Sequence, residues 1–238
     1  MLPQTGAADL LQWRDMLPFS HTPGQILKQL GLVDTLAALR EIPTLLKRLG
    51  ALVNTRRLQG IYDVLYQRRI IEIHDGDGEV VTVDTVAKLR FRQNHVAALT
   101  DYVWGDGEIL ADYRCSPGVP VDHYKEGSRY AVLISLREHK HHGDVLVLRT
   151  HRMIRGGFTR NEECWECDVY HRTGRIELKV IFPLERTCTR ATASRRNAHE
   201  TVALGLEHFS TLPDGRQQLR WVIKRPKLHE RYVLHWTW

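Results

Sequence analysis

The last twenty-two residues of the chain, Gln217–Trp238, alternate between apolar and polar side chains with a period of two. The apolar phase consists of Leu219, Trp221 and Ile223 in a first run, and of Tyr232, Leu234, Trp236 and Trp238 in a second. A period of two places successive side chains on opposite faces of a strand. Pro226, between the two runs, would interrupt a central strand and therefore marks a connection. The pattern predicts two closing strands that each turn one face toward a core.

The same period begins near Arg68 and continues through much of the chain. Asp75-Gly76-Asp77-Gly78 has the composition of a tight turn and predicts a hairpin between Arg69–His74 and Glu79–Asp84. Further strands are predicted at Ala87–Arg92, Glu108–Arg114, Tyr130–Glu138, Val145–Met153, Glu163–His171, Arg175–Phe182 and Thr201–Phe209. The carboxylates of the hairpin turn could also bind calcium, but a tight turn needs the same residues and the longer loop of an EF-hand is absent. Pro183–Glu200 is predicted to be a long connection.

A series of short strands without an intervening helical pattern is typical of a two-sheet antiparallel sandwich. We therefore expect residues 67–238 to form an antiparallel β-sandwich domain, immunoglobulin-like in its general architecture. Trp104 precedes Cys115, so the order of cysteine and tryptophan in true immunoglobulin domains is not met.

Residues 1–66 have a helical period and are predicted to form a helical N-terminal arm. Thr22-Pro23-Gly24-Gln25 predicts a helix start, because threonine caps a helix and proline suits its first position. Basic residues border the apolar stripe of the arm, which favours contact with a protein whose surface is acidic. The residues predicted to bind that partner are Leu45, Leu46, Lys47, Arg48, Leu49, Arg56 and Arg57. The alternative is that this stripe packs on neighbouring residues of the arm or on the β domain. The two parts together predict an α+β fold.

The chain carries a formal net charge of +6 and has an isoelectric point near 9.2. A positive charge of this size attracts anions in a salt-dependent way, so binding to nucleic acid or to an anionic membrane surface is the alternative function. The predicted connection contains a basic cluster at 186–196, made of Arg186, Arg190, Arg195 and Arg196. No aromatic residue is interleaved with these arginines for base stacking, which favours a solvated loop.

Two motifs contain residues suited to metal or nucleophilic chemistry. Cys164-Trp165-Glu166-Cys167 is a C-x-x-C, but it lies in a predicted strand, where residues three apart point to opposite faces. His139-Lys140-His141-His142-Gly143-Asp144 is a histidine-rich turn with a single carboxylate, which favours surface histidines over a metal site. We therefore predict no metal, no cofactor and no catalytic residue. An enzyme built on Cys115, Cys164 or the histidine turn is the third interpretation.

The beginning of the chain includes Asp9 and Asp15 and lacks the basic start of a secretory signal. The longest apolar run, near Tyr130–Leu136, is far shorter than the roughly 20 residues that a membrane-spanning helix needs. The four cysteines have no disulfide-framework spacing. These features predict a cytoplasmic protein without a transmembrane segment.

The closing pattern Trp221-x-Ile223-x-x-Pro226, followed by Tyr232-x-Leu234-x-Trp236-x-Trp238, resembles that of β-sandwich accessory modules in bacterial signalling and antiviral-defence proteins. This resemblance is confined to the closing residues and identifies no site residue. It implies an adaptor or regulatory role. The expected function is therefore a non-enzymatic protein-interaction or regulatory module, ahead of a basic nucleic-acid or membrane-surface binder and of a cysteine- or zinc-dependent enzyme.

Overall fold

The computed structural model describes residues 60–238, which all belong to one compact unit of the chain. These residues form fourteen β-strands and one short 3-10 helix, Leu206–His208. The strands are β1 (Tyr62–Ile73), β2 (Val80–Phe91), β3 (Val96–Val103), β4 (Glu108–Ser116), β5 (Val119–Glu126), β6 (Arg129–Lys140), β7 (Val145–Arg155), β8 (Glu162–Asp168), β9 (Arg175–Ile181), β10 (Arg190–Arg195), β11 (Glu200–Ala203), β12 (Phe209–Thr211), β13 (Gln217–Lys224) and β14 (Arg231–Thr237). Within residues 60–238, no helix has the length and apolarity that crossing a bilayer requires.

The predicted α+β class is wrong, because the described part of the chain is almost entirely β-sheet. The helical arm was predicted to reach residue 66, yet β1 begins at Tyr62 and pairs with β2 along its length. Tyr62, Val64 and Tyr66 are aromatic or β-branched, and such side chains favour a half-buried sheet position. The rest of the predicted arm lies outside the described residues, as do its partner-binding residues Leu45, Leu46, Lys47, Arg48, Leu49, Arg56 and Arg57.

The strands form three sheets instead of the two that were predicted. The seven-stranded sheet has the order β12-β13-β9-β1-β2-β7-β4, in which β1 and β9 are parallel. A four-stranded sheet, β11-β10-β14-β8, and a three-stranded sheet, β3-β6-β5, are antiparallel throughout. An immunoglobulin domain has two antiparallel sheets, so the predicted architecture is corrected on this point as well.

The hairpin predicted at Asp75-Gly76-Asp77-Gly78 is present between β1 and β2. The carboxylate of Asp75 accepts hydrogen bonds from the backbone N–H groups of Glu79, at 2.9 Å, and Val80, at 2.7 Å. Gly78 has a φ of +72°, and a Cβ at this position would lie 1.8 Å from the carbonyl oxygen of Phe158. The composition of the turn is therefore explained by the backbone that it has to form.

The predicted connection Pro183–Glu200 contains a strand, β10, which pairs with β14 and β11. Its buried side chains are Ala191 and Ala193. Alanine is a weak strand former, so the alternation in this segment carries little signal, and the neighbouring strands determine its conformation. The prediction of a connection is therefore wrong for the middle of this stretch.

One hydrophobic core receives side chains from all three sheets. The face of the seven-stranded sheet that carries Ile71, Val83 and Leu148 is buried in this core, and we call it the inner face. Trp236 on β14 lies across from this sheet, with its ring centroid 6.1 Å from that of Phe182. In the closing strands, β13 buries Leu219 and Ile223, and β14 buries Tyr232, Leu234 and Trp236. The alternation predicted for these two strands is confirmed, except that Val233 is buried too.

Candidate functional site

A row of polar side chains crosses the inner face of the seven-stranded sheet. In the strand register, Arg69 of β1 pairs with Thr85 of β2, and Thr85 pairs with Thr150 of β7. Thr150 pairs in turn with Cys115 of β4. Arg69 Nε donates a hydrogen bond of 3.2 Å to Thr85 Oγ1. Polar groups on a core face cost free energy, so a continuous row of them marks a candidate site.

Arg152 extends this polar region along β7, two positions beyond Thr150. It is only 6% exposed. Its guanidinium forms no ion pair within residues 60–238, and its one hydrogen bond there is a long one, from Nη1 to the carbonyl oxygen of Ile109 at 3.5 Å. Burial, and then the charge of Arg69, lower the pKa of Arg152 to about 10, so the group is still a cation at neutral pH. A buried cation without a carboxylate partner is costly and points to an anion that is bound from outside.

Trp165 on β8 contacts both arginines from the opposite sheet. The guanidinium carbon of Arg69 lies 5.3 Å from the centroid of the indole ring, and that of Arg152 lies 5.5 Å from it. A cation–π contact uses the face of a guanidinium and not its N–H groups. Trp165 is buried, and its Nε1 has no hydrogen-bond partner among the described residues. The cluster therefore contains more hydrogen-bond donors than acceptors.

Asp101 on β3 is the carboxylate whose negative charge stabilises the cationic form of Arg152. Its charge raises the pKa of Arg152 and so offsets part of the lowering caused by burial. Its Oδ2 accepts a hydrogen bond of 2.9 Å from the hydroxyl of Tyr113. Burial, and then the charge of Asp101, raise the pKa of Tyr113 far above its ordinary value, so this hydroxyl keeps its proton. Arg69 and Arg152 together outnumber Asp101, while the wall of the second cavity also includes Asp106, Glu163 and Glu166 beside Arg160.

Two adjoining cavities open beside these residues. Their volumes are about 140 Å³ and about 190 Å³, and Arg69, Tyr102 and Trp104 line both of them. Asp101 lines the first cavity and Trp165 lines the second. Each volume exceeds the roughly 30 Å³ that a water molecule occupies in the liquid. Aromatic walls around convergent charged groups are typical of sites that hold a small molecule with one anionic group and a flat apolar part.

The titratable groups around the cavities favour binding over nucleophilic catalysis. Burial raises the pKa of the thiols of Cys164 and Cys167, which line the cavities, and of Cys115 in the polar row, so none of these cysteines is activated. His171 lines the first cavity and stacks on Tyr62 at 4.0 Å between ring centroids. Burial lowers the pKa of His171 to about 4, which keeps its imidazole neutral. The interpretation as an enzyme that uses Cys115 gains no support from these groups.

Of the two metal-like motifs, the histidine turn lies away from the polar row, whereas the C-x-x-C contributes Trp165 to the cluster, and Cys167 and Cys164 line the first and the second cavity. Cys164 is exposed and Cys167 is buried, so the prediction that they point to opposite faces is confirmed. In the histidine turn, the ring of His141 lies 5.0 Å from that of His95, and the ring of His139 lies 6.1 Å from it. Within residues 60–238, no group of three or more histidine, cysteine, aspartate or glutamate side chains has a geometry that could hold a metal ion.

The basic cluster predicted at 186–196 is largely engaged in contacts within the fold. Arg186 donates hydrogen bonds to the carbonyl oxygen of Gly76 and to Asn161 Oδ1, and it lies 4.2 Å from the ring centroid of Trp238. Arg195 forms an ion pair with Glu200, and Arg196 forms one of 3.5 Å with Glu166. Arg190 is exposed at the start of β10. Arg190 and Arg196 are exposed, as expected of a solvated loop, whereas Arg186 and Arg195 are partly buried by these contacts.

Arg69 and Arg152 were not singled out from the sequence, although a signal for them is present. Arg152 occupies the same phase of β7 as Leu148 and Ile154, and Arg69 occupies the same phase of β1 as Ile71. Arginine is rarely buried without a partner, so an arginine in the apolar phase of a strand identifies a functional candidate.

No known protein family matches this sequence, and no curated protein matches it. Among solved structures, the chain is similar to an M1 zinc metallopeptidase from Deinococcus radiodurans, with 11% identity and a TM-score of 0.42. It is also similar to a mutant two-domain M1 zinc metallopeptidase bound to L-arginine, with 12% identity and a TM-score of 0.44. Each similarity covers 73% of this chain and 42% of the other chain. The chain therefore spans less than half the length of these structures, and a likeness of this size carries no conclusion about function.

Proposed function

We propose that this chain is a non-enzymatic regulatory module that binds a small anionic ligand between Arg69, Arg152 and Trp165. The observation that carries the proposal is the buried guanidinium of Arg152, which forms no ion pair within the described residues. The ligand class is a phosphate monoester or a carboxylate attached to a flat apolar group. Tyr102 and Trp104 would contact that apolar group, because they line both cavities.

The electrostatics of the cluster support this ligand class. Arg69 lowers the pKa of Arg152, which means that the two cations repel each other in the ligand-free protein. A bound anion would remove that repulsion and accept hydrogen bonds from both guanidinium groups. Arginine suits this role, because its planar donors match a carboxylate or phosphate in a bidentate arrangement. Trp165 Nε1, which has no partner among the described residues, is a further donor in the same cluster.

Isothermal titration calorimetry on the full chain tests the proposal. The probes are adenosine monophosphate, inorganic phosphate and malonate, with adenosine as the uncharged control. We expect adenosine monophosphate to bind and adenosine not to bind, because the phosphate is the group that the arginines recognise. Arg152→Gln should weaken binding at least about tenfold, the loss of one charge-assisted hydrogen bond.

The matched control is Arg155→Gln, which removes the same kind of side chain from the same strand. Arg155 is exposed and faces away from the cavities, where it forms an ion pair with Glu108. This variant should bind adenosine monophosphate as the wild type does. The proposal fails if none of the three anions binds, or if Arg152→Gln binds as tightly as Arg155→Gln.

Other parts of the expected function stay predictions. Contact with an acidic protein partner depends on residues outside the described range. The cytoplasmic location and the role in signalling or antiviral defence also stay predictions from the sequence. A regulatory module that binds a small ligand is compatible with each of them.

A further inference from the structure

The outer face of the seven-stranded sheet, opposite to the inner face, carries a concentration of basic side chains in two adjacent rows. In the first row Lys224 pairs with Arg175, and Tyr66 pairs with Lys88. The second row runs from Val222 through Glu177 and Arg68 to Val86 and Arg149. We call the five basic residues of these rows the basic stripe: Arg68, Lys88, Arg149, Arg175 and Lys224.

The one carboxylate within these rows, Glu177, is already satisfied by its neighbours. It accepts hydrogen bonds of 2.7 Å from the hydroxyl of Tyr66 and of 2.7 Å from Arg220 Nε. Arg175 lies 3.6 Å from it and Lys179 lies 3.9 Å from it. Burial alone would raise the pKa of Glu177, but the hydrogen bonds from Arg220 and Tyr66 lower it further than burial raises it. Glu177 therefore offsets the charges beside it and not those of the whole stripe.

Four members of the basic stripe form no ion pair within residues 60–238: Arg68, Lys88, Arg149 and Lys224. Lys88, Arg149 and Lys224 are exposed. Arg68 is partly buried, and its Nε is a buried donor without a hydrogen-bond partner among the described residues. The outer face therefore carries positive charge that no carboxylate among the described residues neutralises.

We propose that the basic stripe binds the sugar-phosphate backbone of a nucleic acid. The stripe runs from β13 to β7 across five neighbouring strands, a distance of about 19 Å at the usual strand spacing of about 4.8 Å. Over that distance a DNA duplex presents roughly eleven phosphate charges, so an extended polyanion matches an extended row of cations. This site lies on the opposite face from the cavities and does not depend on the function proposed for them.

The side chains between the cations distinguish this partner from a membrane and from a base-reading contact. They include Val86, Val147 and Val222, which are short, whereas a membrane-binding surface inserts large apolar side chains into the bilayer. Tyr66 is the aromatic residue of the two rows, and its hydroxyl is held by Glu177. Contacts from the stripe are therefore made to phosphates and carry no sequence preference.

Fluorescence anisotropy of the full chain with a labelled duplex and a labelled single strand, measured at several KCl concentrations, tests this inference. For four cations we expect the logarithm of the duplex binding constant to fall against the logarithm of the salt concentration with a slope of about −3 to −4. The combined variant Lys88→Gln, Arg149→Gln, Lys224→Gln should reduce that slope by about 2 to 3 and the affinity at low salt at least about tenfold.

The control variant removes the same charge elsewhere: Lys125→Gln, Arg137→Gln and Lys227→Gln. These three residues are exposed and lie outside the seven-stranded sheet. The control should bind as the wild type does. If the combined variant melts early, Lys88→Gln alone should still reduce the slope by about 0.9.

Three outcomes overturn the inference. The first is an equal loss of affinity and of salt slope in both triple variants. The second is no binding to either nucleic acid at low salt. The third is binding to vesicles that contain phosphatidylserine without binding to nucleic acid.

Discussion

Arg69 and Arg152 occupy inner-face positions on β1 and β7 where the neighbouring side chains of the same phase include isoleucine and leucine. Burying a guanidinium at such a position costs several kcal/mol unless a partner compensates it. Both arginines contact Trp165, and neither forms an ion pair within residues 60–238. At the scale of single residues, these two arginines therefore lower the free energy of unfolding of the ligand-free protein. A bound anion would offset that loss.

His171 predicts a pH dependence of stability at the same cavity. Burial lowers its pKa to about 4 in the folded protein, although a backbone hydrogen bond with Tyr62 and the charge of Asp63 oppose that shift. The unfolded chain, with a histidine pKa near 6.5, binds a proton before the folded chain does as the pH falls. Stability contributed by the neutral imidazole is therefore present above about pH 6.5 and is lost between about pH 6.5 and pH 4, by roughly 1 to 2 kcal/mol at pH 5.

The measurement is urea unfolding at pH 7.5 and pH 5 for the wild type and for His171→Phe. Phenylalanine can keep the stacking on Tyr62 but does not titrate. The variant should lose less stability than the wild type between the two pH values. An identical loss in both proteins would show that other groups cause the pH dependence.

At the scale of elements, β14 contributes Trp236, the largest fully buried side chain of the described residues. Trp236 is 2% exposed, and its ring centroid lies 5.6 Å from that of Phe158 and 6.1 Å from that of Phe182. Trp236→Ala should lower the free energy of unfolding by about 3 to 5 kcal/mol, because the cavity left by the indole cannot close fully. Chemical denaturation followed by circular dichroism measures this change.

His235 provides the control for that prediction, because it is the next residue of β14 and is exposed on the opposite face. His235→Thr should change the free energy of unfolding by no more than about 0.5 kcal/mol, as is usual for surface substitutions. If both variants melted with the wild type, the assignment of β14 to the core would be incorrect.

The alternation of apolar and polar residues identified the strands that have one buried and one solvent-exposed face. It failed for strands whose two faces do not differ in this way. The hairpin of β1 and β2 and the closing strands β13 and β14 were predicted because large apolar side chains alternate with polar ones. β5 was missed, because it contains Pro120 and is exposed on both faces, so no periodic signal exists. β10 was missed because its buried side chains are alanines.

The sequence provided less of the candidate site than of the fold. The polar row exists only because four strands, adjacent in the sheet but partly distant in the chain, bring Arg69, Thr85, Thr150 and Cys115 into register. Strand order cannot be read from periodicity, since alternation specifies faces and not neighbours. The third sheet and the parallel pairing of β1 with β9 escaped prediction for the same reason.

At the scale of the whole molecule, the seven-stranded sheet separates two sets of positively charged side chains. Its inner face holds the buried Arg152 and the partly buried Arg69, and its outer face holds the basic stripe in contact with solvent. The two faces are separated by one layer of backbone, so substitutions on one side can be tested without altering contacts on the other. This organisation allows the small-ligand site and the nucleic-acid surface to be examined independently.

The proposed anion site requires that Arg152 is kept for an anion and not for stability. Urea unfolding of the wild type and of Arg152→Met, each with and without adenosine monophosphate, measures this directly. Without the nucleotide, Arg152→Met should be more stable than the wild type by about 1 to 3 kcal/mol, because a buried unpaired charge is replaced by an apolar side chain of similar length. Nucleotide at a hundred times the wild-type dissociation constant should stabilise the wild type by about 2.7 kcal/mol and the variant, which binds at least about tenfold more weakly, by no more than about 1.4 kcal/mol. A variant that is less stable than the wild type and equally stabilised by the nucleotide would contradict the account and assign Arg152 a structural role.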